Sequence, residues 1–224
     1  MGSTNVDAKM SQALNSEQVG QIKEQFYELG ISNKTQDLLI KKLQSGKLLD
    51  CMIEKKVAEI PVEDLTPTVF CPTKRVVFKD GSVLENKIEI PISSLIKSVL
   101  TTDNSIGIQS SMETRFNNVK VSAKNGISGG GFYTDYIIDY KTNDRILNVR
   151  DPYCNVIAGN YKDLTLVINR YIENSTVKKA AETTYSANVT YVGGIGGAET
   201  LTIKMYIGKD KMKSGILGRV DTIY

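Results

Sequence analysis

Four aspartates form the densest group of chemically active side chains in the sequence: Asp135, Asp139, Asp144 and Asp151. Paired carboxylates can divide the acid and base roles of a hydrolase when their carboxyl groups lie about 5 to 10 Å apart. Asp135 and Asp139 fall on one face of a predicted strand, about 13 Å apart at Cα. That distance favours solvated strand carboxylates, although a cross-strand partner would shorten it.

Calcium is the one cofactor that the residues leave open. Asn143 and Asp144, together with Asp151, offer the oxygen ligands that calcium prefers. Their spacing matches no established calcium loop. Apart from calcium, the sequence predicts no cofactor and no catalytic residue.

The chain contains no histidine and no tryptophan, which limits the kinds of catalytic and metal sites that it can form. A Ser-His-Asp triad, a Cys-His pair and a histidine-containing zinc site are all excluded. The three cysteines, Cys51, Cys71 and Cys154, have no metal-binding spacing. They are either buried free thiols, or Cys51 and Cys71 form a disulfide that ties the helical segment to the first strand.

Tyrosine is plentiful, with eleven residues against five phenylalanines, and most of the tyrosines fall in the second half. Exposed tyrosines are typical of surfaces that bind a glycan or a protein, whereas core and cross-strand tyrosines are the structural alternative. Combined with the aspartates, they give the predicted ligand-binding set: Tyr133, Asp135, Tyr136, Asp139, Asp144, Asp151 and Tyr153.

Charge and hydropathy limit the partners. The net charge is +3 and the lysines are interspersed with acidic residues, so no basic stripe predicts nucleic-acid binding. No apolar run reaches the roughly 18 residues of a membrane span. The polar start, residues 1–7, lacks the apolar core of a signal peptide and is typical of a cloning remnant on a mature chain.

The N-terminal part predicts a helical hairpin with a linker over residues 16–65, after a disordered stretch at 1–15. Ser16 is the expected first cap, Gly30 the stop, Ser32 or Asn33 the second cap, and Gly46 the second stop. The second helix lacks an arginine to read guanine, so a docking hairpin is favoured over a DNA-reading one.

The β-rich part predicts an antiparallel β-sandwich over residues 66–212, with 213–224 as a tail or a last edge strand. Asp80-Gly81 and Asn125-Gly126 predict hairpin turns in which both residues have positive φ. The glycine clusters at 129–131 and 193–197 are interpreted as bulges or tight turns. The fold class is mainly β, α+β overall, and we expect a fragment starting near Thr66 to fold without the hairpin.

Motifs along residues 16–210 resemble uncharacterised secreted proteins of Gram-positive bacteria. They include Leu29-Gly30-Ile31, Lys42-Leu43, Gly46, Asp50 and Phe78 to Val83, then Gly131 to Tyr136, Asp144 to Ile146, Ala187 to Tyr191 and Gly194 to Thr202. The resemblance implies a helical hairpin, a β-sandwich and export, and it supplies no catalytic residues. This chain lacks the cysteine pair that such proteins often carry near the strand starting at Phe116.

The leading functional hypothesis is a secreted or cell-surface, non-enzymatic binding module. Its partner would be a cell-wall or host-surface protein or glycan, with no nucleic acid and no transmembrane segment. A secreted toxin or bacteriocin-like effector and a carboxylate-dependent hydrolase are the alternatives. The sequence leaves the oligomeric state open.

Overall fold

A computed structural model describes residues 14–94, 113–192, 195, 197–216, 218–220 and 223–224. The chain is mainly β and α+β overall, with short N-terminal helices followed by two antiparallel sheets, as predicted. The predicted disorder at residues 1–15 falls almost entirely outside the described residues. So do most of the residues of the second glycine cluster.

The helical segment contains the two predicted helices, and the stretch predicted as a linker holds a 3₁₀ turn and two short helices. Its elements are α1 Ser16–Glu28, α2 Asn33–Gln44, a 3₁₀ turn at Asp50–Met52, α3 Glu54–Ala58 and α4 Val62–Leu65. The cap of α1 is Asn15 rather than Ser16, because Asn15 and Gln18 form a reciprocal capping box. Ser32 caps α2 as expected, and Gly30 and Gly46 have positive φ at the two helix ends.

Two antiparallel sheets follow, in the orders β1-β2-β3-β4-β5 and β6-β7-β8-β9. The described strands are β1 Thr73–Val77, β2 Val83–Glu89, β3 Glu113–Asn125, β4 Ser128–Asp139, β5 Arg145–Val156, β6 Gly159–Arg170, β7 Ala181–Tyr191, β8 Ala198–Gly208 and β9 Lys211–Ile216. The predicted C-terminal edge strand is therefore present as β9, beginning two residues before the predicted boundary at 213.

Both predicted hairpin turns exist, but their backbone differs from the prediction. Gly81 has φ +85° and Gly126 has φ +62°, whereas Asp80 and Asn125 do not have positive φ. Asn125 pairs directly with Ser128, so Gly126 is the first central residue of a two-residue loop. That is the arrangement of a type II′ turn, which needs one glycine rather than two left-handed residues.

The glycine cluster at 129–131 lies inside β4 and not in a turn, and the register of β4 with β5 shifts between Gly131 and Tyr133, in line with the bulge that was the other predicted possibility. A Cβ built on Gly130 would lie 2.3 Å from the hydroxyl of Tyr185 on the opposite sheet. That hydroxyl donates a 2.8 Å hydrogen bond to the Tyr153 carbonyl. The missing side chain thus lets a buried tyrosine cross the sandwich and satisfy its polar end.

The helices pack against one end of the sandwich, which we call the helical end, defined by the turns at 78–82 and 126–127. Lys42 of α2 binds Asp50 at 2.6 Å and Asp80 at 2.7 Å. Asp80 also accepts bonds from the Asp50 amide and from Ser82. These are motif residues of the resemblance, so in this fold they dock the hairpin onto the β1–β2 turn.

One hydrophobic core includes both the helices and the strands. Phe26 of α1 and Leu43 of α2 are fully buried in the same cluster as Leu84 of β2 and Phe132 of β4. The segment after β9 packs against the helices, because the Arg219 guanidinium donates hydrogen bonds to the Val57 carbonyl in α3 and to the Ile60 carbonyl. The hairpin is therefore part of the packing of the sandwich.

The three cysteines are free thiols, so the structure contains no Cys51–Cys71 bridge. Cys51 is buried beneath the β3–β4 turn, where a Cβ built on Gly126 would lie 3.1 Å from its Sγ. Cys71 is exposed at the approach to β1. Burial raises the pKa of the Cys51 thiol, which therefore stays protonated and poorly nucleophilic.

Candidate functional site

The predicted ligand-binding residues separate into three places. Tyr136 points into the core, where it is fully buried and stacks on Phe116 with ring centroids 4.7 Å apart. Its hydroxyl has no hydrogen-bond partner within the described chain. Tyr136 therefore cannot reach a ligand, and its inclusion in the predicted set was wrong. The other residues divide between a sheet face and a loop cluster.

Four predicted residues lie on the outer face of the five-stranded sheet: Tyr133, Asp135, Asp151 and Tyr153. There Arg150 lies 5.8 Å from the ring centroid of Tyr133 and contacts Asp135 at 3.2 Å. Lys120 lies 5.5 Å from the ring centroid of Tyr153. Since cations from neighbouring positions already cover both rings and pair with the carboxylate, this face is internally satisfied.

Asp139 and Asp144 lie at the opposite end of the sandwich from the helices. Three connections meet there, and we call them together the loop end: residues 140–144, 171–180 and 209–210, joined by Tyr224. A pocket of about 370 Å³ opens between them. β-Sandwiches commonly present binding residues on loops gathered at one end, because the strands beneath hold the loops in place.

A buried carboxylate pair organises this end. The Asp144 side chain accepts bonds from the Asp139 amide at 2.8 Å and from the Asp210 amide at 2.9 Å. Glu173 accepts from the Asp144 amide at 3.1 Å and from the Lys209 amide at 3.0 Å. Two carboxylates thus tie three separate connections together through backbone donors.

The two predicted aspartates of this end have pKa values displaced in opposite directions. Hydrogen bonds from Thr142 and from the Lys141 amide lower the pKa of Asp139 to about 2. Burial, reinforced by the neighbouring Glu173 and Asp210 carboxylates, raises the pKa of Asp144 to about 6. Such a split is typical of an acid–base pair. Here, however, the Asp144 oxygens are engaged by backbone amides and the residue is 1% exposed.

Exposed apolar and cationic side chains surround that framework. Tyr140 is 54% exposed and Tyr171 is 59% exposed, and Ile172 and Val177 beside them are also exposed. None of the lysines of this end forms an ion pair within the described residues. These lysines are Lys141, Lys178, Lys179 and Lys209, with Lys211 next to them at the start of β9. The surface therefore combines aromatic contact area with several exposed lysines and one exposed carboxylate, Asp210.

Sequence reasoning missed Glu173 and singled out no tyrosine of the loops. Tyr140 and Tyr171 are among the eleven tyrosines, but their exposure depends on where each strand ends. Glu173 lies 29 positions from Asp144, and no local pattern connects the two. Asp144 alone gave a usable signal, as an aspartate between two predicted strands.

The proposed calcium ligands do not converge. Asp144 and Asp151 lie seven positions apart on or beside β5, which corresponds to about 23 Å along a strand. Asp151 is exposed next to Arg150, whereas Asp144 faces the interior of the loop end. In the part of the chain that the structure describes, no group of three or more carboxylates and cysteines could hold a metal ion.

A larger cavity, of about 860 Å³, lies between the helical segment and β7–β8, with Glu199 in its wall. Glu199 accepts bonds from Ser128 at 2.9 Å, from Tyr191 at 2.5 Å and from Asn125 at 3.0 Å. Ser128 is fully buried, so no nucleophile faces the cavity from this cluster. The bonds join β3, β4, β7 and β8, and we interpret the cluster as structural.

The fold and its loop end define an α+β protein built on a β-sandwich. No family model matches the chain, and no curated protein matches it. Among solved structures, it is similar to a hypothetical protein of the Gram-positive bacterium Listeria monocytogenes, with 12% identity and a TM-score of 0.32. The match covers 64% of this chain and 97% of that chain. A likeness at this level carries no argument about function.

Membrane insertion by a helix finds no support in the described residues. None of the described helices has the length and hydropathy that a bilayer crossing requires. The longest, α1, has 13 residues.

Proposed function

We propose that the protein is a non-enzymatic binding module that acts at or outside the cell surface, with the loop end as its binding surface. One observation carries the proposal. Exposed Tyr140 and Tyr171 stand on connections whose backbones are fixed from beneath by Asp144 and Glu173. Tyrosines held in place offer a large contact area at a small cost in conformational entropy. The resemblance to secreted proteins supports the extracellular setting.

The charge of the loop end favours an anionic partner. Its lysines are exposed and form no ion pair within the described residues. Of its carboxylates, Asp144 and Glu173 are buried, Asp139 pairs with Arg145 at 3.3 Å, and Asp210 is exposed, so the exposed lysines outnumber the exposed carboxylate. Lys209 also lies over the Tyr224 ring, 4.5 Å from its centroid. Phosphate or carboxylate groups of a cell-wall or host-surface polymer would complement this combination.

The test measures binding of the whole protein to purified Gram-positive cell walls, before and after removal of their phosphate polymers. We expect Tyr171→Ala and Lys178→Glu each to weaken binding by about tenfold. We also expect binding to fall as salt concentration rises, because exposed charges are screened. Tyr27→Ala and Lys34→Glu are matched controls, since both change exposed residues of the helical segment. Equal losses of binding affinity in the control variants would refute the proposal. It would also be refuted if the protein bound neither cell walls nor host-matrix glycans.

The hydrolase alternative makes a separate prediction. Because the oxygens of Asp144 are occupied by backbone donors, we expect no turnover of peptidoglycan, chitin, starch or casein. Release of reducing ends or of peptides is the measurement. Cleavage that disappears in Asp144→Asn, in a variant that still folds, would show that the carboxylates are an active site.

A further inference from the structure

The edge strand β1 presents a row of backbone hydrogen-bonding groups that face away from β2, of which the Thr73 carbonyl accepts a 3.8 Å bond from the Cys71 thiol. The Ile88 amide donates to the Pro72 carbonyl at 2.8 Å, and the Phe78 amide donates to the Ser82 carbonyl at 2.9 Å. Antiparallel pairs alternate between bonded and non-bonded, so Lys74 and Val76 also bond to β2. The amides and carbonyls of Thr73, Arg75 and Val77 therefore point away from the sheet.

A groove runs along this free edge. Its volume is about 570 Å³, and it is bounded by β1 on one side and by Ile60, Pro61 and Asp64 on the other. Within the described residues, no strand pairs with β1 on that side. Natural proteins usually protect such edges, so an open groove beside one is typical of a site that receives another strand.

The side chains of the edge indicate which strand fits. Thr73, Arg75 and Val77 are exposed on the outer face, and Val77 is 65% exposed. The Arg75 guanidinium forms no ion pair among the described residues. It lies against Gly30, so that a Cβ built on Gly30 would be 3.1 Å from the Arg75 Nη1 atom. Glu85 of β2 already lies directly across from Arg75 and forms no ion pair with it within the described residues. An acidic side chain at the facing position of an added strand would lie on the other, open side of Arg75 and pair with it there. Apolar side chains at alternate positions would face Ile60 and Pro61.

A second copy of this chain fits the edge less well. When two β1 strands pair antiparallel over all five residues, Arg75 of one copy lies opposite Arg75 of the other. Like charges at directly opposed positions destabilise a sheet. The charge of the edge therefore favours a different partner.

We propose that β1 binds an extended peptide by strand addition, with an acidic residue opposite Arg75 and apolar residues on either side of it. The surface lies on the flank of the sandwich, apart from the loop end, and does not depend on the function proposed there. The backbone of Thr73, Arg75 and Val77 supplies the affinity. Arg75, Ile60 and Pro61 supply the selectivity.

The first experiment uses a capped, fluorescein-labelled peptide of alternating valine and glutamate, with fluorescence anisotropy as the readout. When the peptide pairs antiparallel with β1, as proposed, glutamates opposite Arg75 direct their own amides at β1, whereas the valine amides point outward. N-methylation of the glutamate amides should therefore abolish binding, and N-methylation of the valine amides should leave it within about twofold. Equal binding of the two methylated peptides, or no binding of the parent at about 1 mM, would overturn the proposal.

The second experiment changes the protein. Arg75→Glu should weaken binding of the glutamate peptide by at least about tenfold and should strengthen binding of a lysine counterpart. Arg115→Glu makes the same charge change on the outer face of β3 and should leave binding unchanged. Val77→Pro should also weaken binding, because it removes an outward amide. Loss of affinity in Arg115→Glu as large as in Arg75→Glu would contradict the assignment. So would self-association of the protein that Val77→Pro abolishes, since a second copy would then occupy the edge.

Discussion

The half-buried Asp80 and the buried Asp144 show how the hydrogen-bond partners of a carboxylate determine its pKa. Burial alone would raise the pKa of Asp80, but hydrogen bonds from Lys42 and Ser82 lower it to about 2. Asp144 receives only neutral amide donors and has Glu173 and Asp210 as neighbours, so its pKa rises to about 6. Asp80 is therefore stable in its ionised form and anchors α2. The ionised form of Asp144 is destabilised by its surroundings, although the same side chain holds the loops together.

The raised pKa of Asp144 predicts a particular pH dependence of stability. Between about pH 4 and pH 6 the folded protein binds a proton at Asp144 that the unfolded chain has released, so this residue makes stability fall as pH rises through that window. Above pH 6, the raised pKa of Asp144 lowers the free energy of unfolding by about 3 kcal/mol. Urea unfolding at pH 4.5 and pH 7 should show this fall for the natural protein and a smaller one for Asp144→Asn. Equal pH dependence in the two proteins would contradict the prediction.

At the scale of elements, the sequence predicted what is local and missed what is distant. The α1 and α2 boundaries follow from caps and glycine stops within a few residues of each other, and both were placed within one or two residues. The II′ geometry at Gly126 and the role of Gly130 depend on other strands. The contact of Gly130 with Tyr185 joins residues 55 positions apart, and periodicity carries no information about such a pair.

The candidate site illustrates the same limit. Asp139 and Asp144 were predicted because they belong to a group of four aspartates that lie close together in the sequence. Tyr136 was wrongly included because strand alternation gives two faces without telling which one is buried. Glu173 was missed because only the packing of one sheet on the other brings the β6–β7 connection to Asp144.

The β3–β4 turn allows a matched test of backbone and packing. Gly126→Val should lower the free energy of unfolding by about 1 to 3 kcal/mol, because a β-branched residue is strained at positive φ. Its Cβ would also lie 3.0 Å from Leu49. Gly20→Ala, in the open on α1, should instead raise stability by up to about 1 kcal/mol. Chemical denaturation measures both, and a neutral Gly126→Val would remove the turn assignment.

The whole molecule unfolds as one unit if its single core determines cooperativity. The sequence predicts that a fragment starting near Thr66 folds by itself, but the structure buries Phe26, Leu43 and Leu49 in the same cluster as the strands. Removal of the helices would expose the apolar partners of these residues at the helical end.

We now expect the fragment from Thr66 to lose its cooperative transition, because deletion uncovers core surface and also removes the Lys42 partner of Asp80. Circular dichroism and urea unfolding of the fragment and of the full chain provide the measurement. Addition of the separate hairpin peptide, residues 14–65, should restore part of the transition. A fragment with a sharp transition and native β signal would restore the two-domain division.

The position of Tyr224 decides how the protein should be attached to a sensor. Its hydroxyl bonds to Glu173 and its ring lies under Lys209, so a linker attached at Tyr224 would emerge within the loop end and shield it. Lys34 is exposed at the start of α2, in the helical segment that packs on the helical end of the sandwich. Coupling of a Lys34→Cys, Cys71→Ser variant through its new thiol would orient the immobilised protein with the loop end facing the solution. A screen immobilised through the C-terminus would instead present the hairpin to the ligands and return false negatives.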